Sequence, residues 1–108
     1  MAHNIFATAR RRLLEIWEYS DANWGVEQAD HYIEGLFKEL DRIACRSHRW
    51  KPVQQVGFSG VYFARFRHHF IFFRDLNGEL GVITVLHESM DIPNRLLDDW
   101  NDFTNNKR

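Results

Sequence analysis

Apolar residues recur at helical spacing through the first half of the chain and change to runs of aromatic and β-branched residues in the second. From Ala9 to Trp24 the positions Leu13, Ile16, Trp17, Ser20 and Trp24 share one face, with Arg10, Arg11, Glu15, Glu18 and Asp21 on the others. That pattern predicts an amphipathic helix, with Thr8 as its expected hydroxyl cap and Gly25 as its stop. A second stripe of Val26, Ala29, Ile33, Leu36, Phe37, Leu40, Ile43 and Ala44 predicts another helix to about Cys45. Two such helices separated by a single glycine bury their stripes by packing antiparallel, so residues 9–45 are expected to form a helical hairpin. A short lead-in strand at 3–6 is also expected.

The run Arg46 to Pro52 has no period and reads as a connector, because proline biases the residue before it away from helix. Val61–Phe66 and His69–Arg74 then read as strands. The Asn77-Gly78 pair suits a turn with positive φ at both central positions, so Glu79–Leu86 is expected to fold back as a third strand. Residues 60–87 therefore form an antiparallel meander whose apolar face needs the hairpin as a cover. Asp91 and Pro93 mark a helix start, with Asp91 as cap, and Ile92, Leu96, Trp100 and Phe103 follow at helical spacing over 91–103. The expected fold class is α+β: a helical hairpin packed on a three- to four-stranded antiparallel sheet, with a short C-terminal helix docked on it and residues 104–108 frayed.

Composition narrows the function. A chain of 108 residues with 44% hydrophobic content fits one domain spanning 1–108 with a sizeable core. A formal net charge of −1 announces neither a nucleic-acid binder nor an acidic scaffold, although Arg and His crowd into 65–74 and acids into 91–102. The single cysteine, Cys45, closes no internal disulfide, and no paired Cys and His spacing suggests a zinc site. With no leader-like start and no apolar run of membrane-spanning length, the expectation is a soluble cytoplasmic protein without cofactor, metal or membrane partner.

Several blocks together resemble a known family. They are Leu14-Glu15-Ile16-Trp17-Glu18-Tyr19, Trp24-Gly25 with Gln28-Ala29-Asp30-His31-Tyr32, His69-Phe70-Ile71-Phe72-Phe73-Arg74, and Val85-Leu86-His87-Glu88-Ser89-Met90-Asp91-Ile92-Pro93. In this order, over about residues 5–97, they are similar to the RelE/ParE superfamily of toxins from bacterial type II toxin-antitoxin systems, on its ParE branch. The resemblance implies a toxin neutralised by a cognate ParD-like antitoxin in a hetero-oligomer, and a free toxin that inhibits DNA gyrase. Its alternatives are a ribosome-dependent endoribonuclease of RelE type cutting messenger RNA, or an inactive toxin that keeps only antitoxin binding.

A ribonuclease needs a base for the 2′-hydroxyl, an acid for the leaving oxygen and fixed cations for phosphate. Arg65, Arg67, His69, Arg74 and His87 are the dense set able to supply them: side chains two apart on a strand share a face, so Arg65 and Arg67 are expected to project together, with His69 joining from the neighbouring strand. The blander reading is a solvated sheet face, with His87 bracing its turn. Trp17 and Trp24 fall on the buried stripe and read as core. Trp50, between Arg49 and Lys51, either contacts a partner or caps the hairpin's open end. The aromatics Tyr62, Phe63, Phe66, Phe70, Phe72 and Phe73 exceed what one sheet face needs. Trp50, Tyr62, Phe63, Phe66, Arg67 and Phe70 are accordingly the candidate partner-binding residues, with an antitoxin segment as the expected cover.

Overall fold

In the computed structural model, which describes residues 3–46, 50–55 and 57–105, β1 (His3–Ile5) leads into α1 (Ala7–Trp24) and α2 (Val26–Ala44). There follow β2 (Lys51–Pro52), β3 (Val61–Phe66), β4 (His69–Leu76), β5 (Glu79–His87) and α3 (Ile92–Asn105). Gly25 makes the hairpin. Its φ of +94° is one that side chains resist, its N–H closes α1 on the Asp21 carbonyl, and its own carbonyl receives the Ala29 N–H that opens α2. The indole of Trp17 donates to Asp30 at 2.8 Å and clasps the two helices together.

Thr8 is not the cap expected of it. Pairing of β1 with β5, extended by the Phe6 N–H to the Val82 carbonyl at 3.1 Å, ends at Phe6 and passes the chain straight into α1. Phe6 occupies the cap position without a side-chain hydrogen bond, and Thr8 lies buried in the first turn. At α3, Asp91 does sit at the helix start: its carbonyl takes the Arg95 N–H, and its carboxylate takes the Asn94 side-chain amide.

The sheet runs in the order β1-β5-β4-β3-β2 and has five strands, more than the three or four expected. Its meander β3-β4-β5 is antiparallel throughout, and Asn77 and Gly78 both have positive φ in the turn between β4 and β5. The extra strands are short. β1 adds parallel to β5, and the end of the expected connector adds antiparallel to β3 as β2, Lys51 and Pro52 facing Phe63 and Tyr62. Residues 47–49 of that connector lie outside the described residues, as do 106–108 of the expected frayed end, whose first two residues, Thr104 and Asn105, instead complete α3.

Each sheet face has its own core. Under the hairpin, Leu13, Leu36 and Leu40 meet Ile71, Phe73, Leu80, Val82 and Val85. On the opposite face, Leu96 and Phe103 of α3, with Phe58 from the loop before β3, meet Val61, Phe72, Ile83 and Leu86. The second face, which the aromatic surplus suggested would await another polypeptide, is thus largely roofed by the chain itself. A register shift between Phe72 and Phe73 makes this possible, because Phe72 faces Thr84 while Phe73 faces Val82. The unpaired Ile83 and its neighbour Thr84 then both turn toward α3. Among the described residues no helix is long and apolar enough to cross a membrane.

A buried ion pair holds α1, β5 and α3 together. Arg12 donates from Nε and Nη2 to the two oxygens of Asp99, each at 3.0 Å, and Thr84 Oγ1 donates to Asp99 Oδ2 at 2.7 Å. Asp99 is 1% exposed, and its hydrogen bond raises the Arg12 guanidinium further above its usual value. Such a pair adds little over an apolar substitute, but deleting one charge strands the other. Asp99→Asn should therefore lower the unfolding free energy by about 3 kcal/mol in urea titrations followed by tryptophan fluorescence. Thr84→Val, which removes one hydrogen bond, should cost about 1 kcal/mol.

Candidate functional site

The β3–β4 turn places the chain's densest group of cations and imidazoles at one end of the sheet. β3 stops at Phe66, and Arg67 adopts φ +54° so that the chain reverses within two residues. His69 on β4 then lies opposite His87 on β5, ring centroids 5.0 Å apart, while His68 stacks on His87 at 6.2 Å. Four of the five residues considered for RNA cleavage, Arg65, Arg67, His69 and His87, gather here. Arg74 does not: it faces Val61 at the other end of β4, five residues or roughly 17 Å from His69.

Gathering does not put them on one face. Because the strand period breaks at Phe66, Arg65 and Arg67 do not project together. Arg65 stays on the α3 face, over the Phe70 ring at 5.2 Å, where it donates to the Arg67 carbonyl and forms an ion pair with Glu88. His69 sits on the hairpin face, 8% exposed, 2.6 Å from the Tyr32 hydroxyl of α2. Burial and the neighbouring imidazoles push His69 down to about 4, so it is neutral at ordinary pH. Burial raises the Tyr32 phenol, with the His68 backbone and Arg67 pulling it partly back. A neutral phenol donates to His69 Nδ1, which leaves the imidazole proton on Nε2. His87 Nδ1 accepts the Ser89 N–H at 3.0 Å, so in the neutral ring its proton too belongs on Nε2. Glu88 is held below the usual carboxylate range by its hydrogen bond to His68 and by Arg65.

This cluster closes one end of an open groove of about 890 Å³ between α1, the start of α2 and the end of β5. Ile16, Ser20 and Val85 line its middle. Tyr19 and Trp24 stand at its other end, each 65% exposed and in edge contact with centroids 6.0 Å apart. Trp24 was expected in the core. The apolar stripe of α1 runs on after Ser20, and the sheet surface it covers does not. Tyr32 and this exposed aromatic pair are the groove residues that sequence reasoning passed over, and an exposed tryptophan at a helix end looks the same in sequence as a buried one.

The expected partner-binding residues divide. Trp50 donates its indole N–H to the Ile43 carbonyl at 2.7 Å and meets Tyr62 and Phe73, closing the end of the hairpin. Tyr62 and Phe66 pack on the hairpin core, Phe66 against Tyr32 at 5.3 Å and close beneath Gly35. Phe63 and Phe70 lie half-buried side by side on the α3 face. Arg67 is exposed beside Phe66 and has no carboxylate partner among the described residues.

A neutral buried imidazole couples folding to pH. Between pH 6.5 and about 4 the unfolded chain takes up a proton at His69 that the folded chain refuses, so this contribution is full above pH 6.5 and is lost as pH falls toward 4. From pH 7 to pH 5 the loss should be about 2 kcal/mol, and His69→Asn should flatten that part of the stability profile measured by urea unfolding.

Sequence and structure comparisons agree with this architecture. The family described as the ParE toxin of the type II toxin-antitoxin system parDE matches residues 6–92. Toxin ParE of Escherichia coli is 33% identical over 98 residues, covering 90% of this chain and 94% of that protein. A ParE1 toxin of Caulobacter vibrioides is 32% identical over 83 residues, covering 77% and 84%. Among solved structures, a chain of the chromosomal ParDE system of P. aeruginosa superposes with a TM-score of 0.68 at 13% identity, over 81% of this chain and 95% of that one. A chain of the RelBE2 toxin-antitoxin complex of Mycobacterium tuberculosis does so at 0.55 and 21%, over 82% and 92%. With the family matched over residues 6–92 and a relative 33% identical over 90% of its length, the chain belongs to the ParE toxin family of type II toxin-antitoxin systems.

Proposed function

We propose that this toxin is held inactive in the cytoplasm by a ParD-like antitoxin and, once free, inhibits DNA gyrase by binding it rather than by cutting a substrate. The observation that carries the binding half is the state of the polar cluster. His69 is neutral and tied to Tyr32, His87 is tied to Ser89, and Arg65 is neutralised by Glu88 on the opposite face. Cleavage of a phosphodiester calls for an acid and a base flanking one phosphate, with cations aimed at it. Here Arg67, without a carboxylate partner among the described residues, lines the groove together with imidazoles already committed to the fold. Membership of the ParE family supports gyrase over the ribosome as the target, and the ParDE and RelBE2 likenesses support an antitoxin.

The partner surface in this reading consists of Arg67 with the groove that ends in Tyr19 and Trp24, and, on the α3 face, the half-buried Phe63 and Phe70. Trp50, Tyr62 and Phe66 serve that surface from beneath by fixing the hairpin on the sheet.

Purified toxin, released from its antitoxin by denaturation and refolding, should abolish DNA supercoiling by gyrase and trap cleaved DNA at stoichiometric concentrations. It should leave messenger RNA intact on translating ribosomes. Messenger cleavage that disappears in His87→Ala would replace this reading with the endoribonuclease one. Normal growth on induction, with antitoxin binding retained, would point to an inactive toxin.

A further inference from the structure

We propose that Glu88 is a positioning residue for gyrase inhibition: with Arg65 and His68 it clasps the turn between β3 and β4, holding Arg67 in a left-handed backbone conformation that presents its guanidinium to a carboxylate on gyrase. The proposal rests on the gyrase reading above and adds the contact and the device that maintains it.

The backbone of the turn supplies the first observation. Phe66 pairs with His69, so Arg67 and His68 make the reversal alone. Arg67 has a φ of +54°, and among the described non-glycine residues only Arg67 and Asn77 have positive φ. In a two-residue turn, positive φ at the first central position alone is the place of glycine, because a Cβ there crowds the backbone. The turn between β4 and β5 meets its own demand with Asn77-Gly78, a pair that tolerates positive φ. Arginine is ill-suited to position 67, and backbone strain kept in an exposed turn points to function.

The second observation is what holds the turn. Both of its carbonyls are engaged: Arg65 Nε donates to that of Arg67 at 2.9 Å, and the Glu88 N–H donates to that of His68 at 2.8 Å. The Glu88 carboxylate ties these groups together, accepting from Arg65 Nη2 through one oxygen and from His68 Nδ1 through the other, the latter at 2.8 Å. The residue that follows β5 thus fixes the shape of the turn that precedes β4. The third observation is charge. Arg65 and His68 direct their donors at Glu88, whereas Arg67 lies beside the Phe66 ring at 5.4 Å without a carboxylate partner among the described residues. One such guanidinium fits one carboxylate, its fork matching two oxygens, while a DNA strand brings a row of phosphates and calls for a row of cations.

The test uses the full toxin in a gyrase supercoiling assay, with melting temperature measured alongside. Arg67→Asn, which suits the turn, should melt about 3 °C higher and need about tenfold more toxin for half-inhibition. Glu88→Gln keeps the shape and the backbone N–H; it should cost about fivefold in potency in wild type and nothing further in Arg67→Asn, because its effect passes through position 67. Arg67→Glu should abolish inhibition. A merely structural clasp gives another pattern: an Arg67→Asn toxin that is more stable and as potent as wild type overturns the proposal and leaves the gyrase reading standing. So does a penalty for Glu88→Gln that persists in Arg67→Asn, since Glu88 then acts on its own. A lower melting temperature for Arg67→Asn overturns it too, by showing no strain at position 67. If the wild-type toxin does not inhibit gyrase, the gyrase reading fails and this proposal with it. Binding of a fluorescein-labelled DNA duplex by the toxin alone, lost in Arg67→Asn, would make phosphate the ligand and overturn the carboxylate contact.

Discussion

The double-sided burial of β5 is the constraint to which the other elements are fitted. From Leu80 to Leu86 the strand is buried, because the helical hairpin covers one face and α3 the other. A strand in that position must be apolar on both sides, which Leu80, Val82, Ile83, Val85 and Leu86 satisfy. Its one polar exception, Thr84, is the residue through which the buried carboxylate of Asp99 reaches the sheet. The bulge that brings Ile83 and Thr84 to the same side is what lets α3 and α1 share that carboxylate, so strand irregularity and ion pair are parts of one arrangement.

At the end of this strand the fold gathers imidazoles and then spends their hydrogen-bonding capacity on itself. Tyr32 takes one nitrogen of His69, Ser89 takes one of His87, and Glu88 draws His68 and Arg65 to the outer rim. What remains on the surface is the exposed Arg67 guanidinium and the partly exposed His87, on a scaffold that Tyr32 and His69 hold from beneath. A surface of this sort suits the binding role proposed above better than proton transfer, since its imidazole nitrogens are already engaged.

Much of the fold was legible because it follows from period and punctuation. The stripe from Val26 to Ala44, the glycine at position 25 and the Asn77-Gly78 turn each have a local physical cause and appear where that cause puts them. The pairing of β1 with β5 and the route of Phe58 into the second core depend on contacts distant in sequence, and local pattern carries no record of them. Thr8 was misjudged for a related reason, since strand pairing rather than hydroxyl chemistry decided where α1 begins. For the site, counting gave Arg65, Arg67, His69, Arg74 and His87, of which all but Arg74 come together, but two-residue alternation could not reveal that Arg67 leaves the strand in a left-handed conformation. Tyr32, from a helix more than thirty residues earlier, was invisible to any reading of the strands alone.

The margins of the sheet bear on how copies of the chain can meet one another. One margin is three residues long and the other two, the latter made of an exposed lysine and a proline that has no amide hydrogen to offer. Each offers few unpaired backbone groups to a strand of another molecule. The sheet is thus limited at both sides by the brevity of its outer strands, with no covering element needed to hide a long row of unpaired backbone groups.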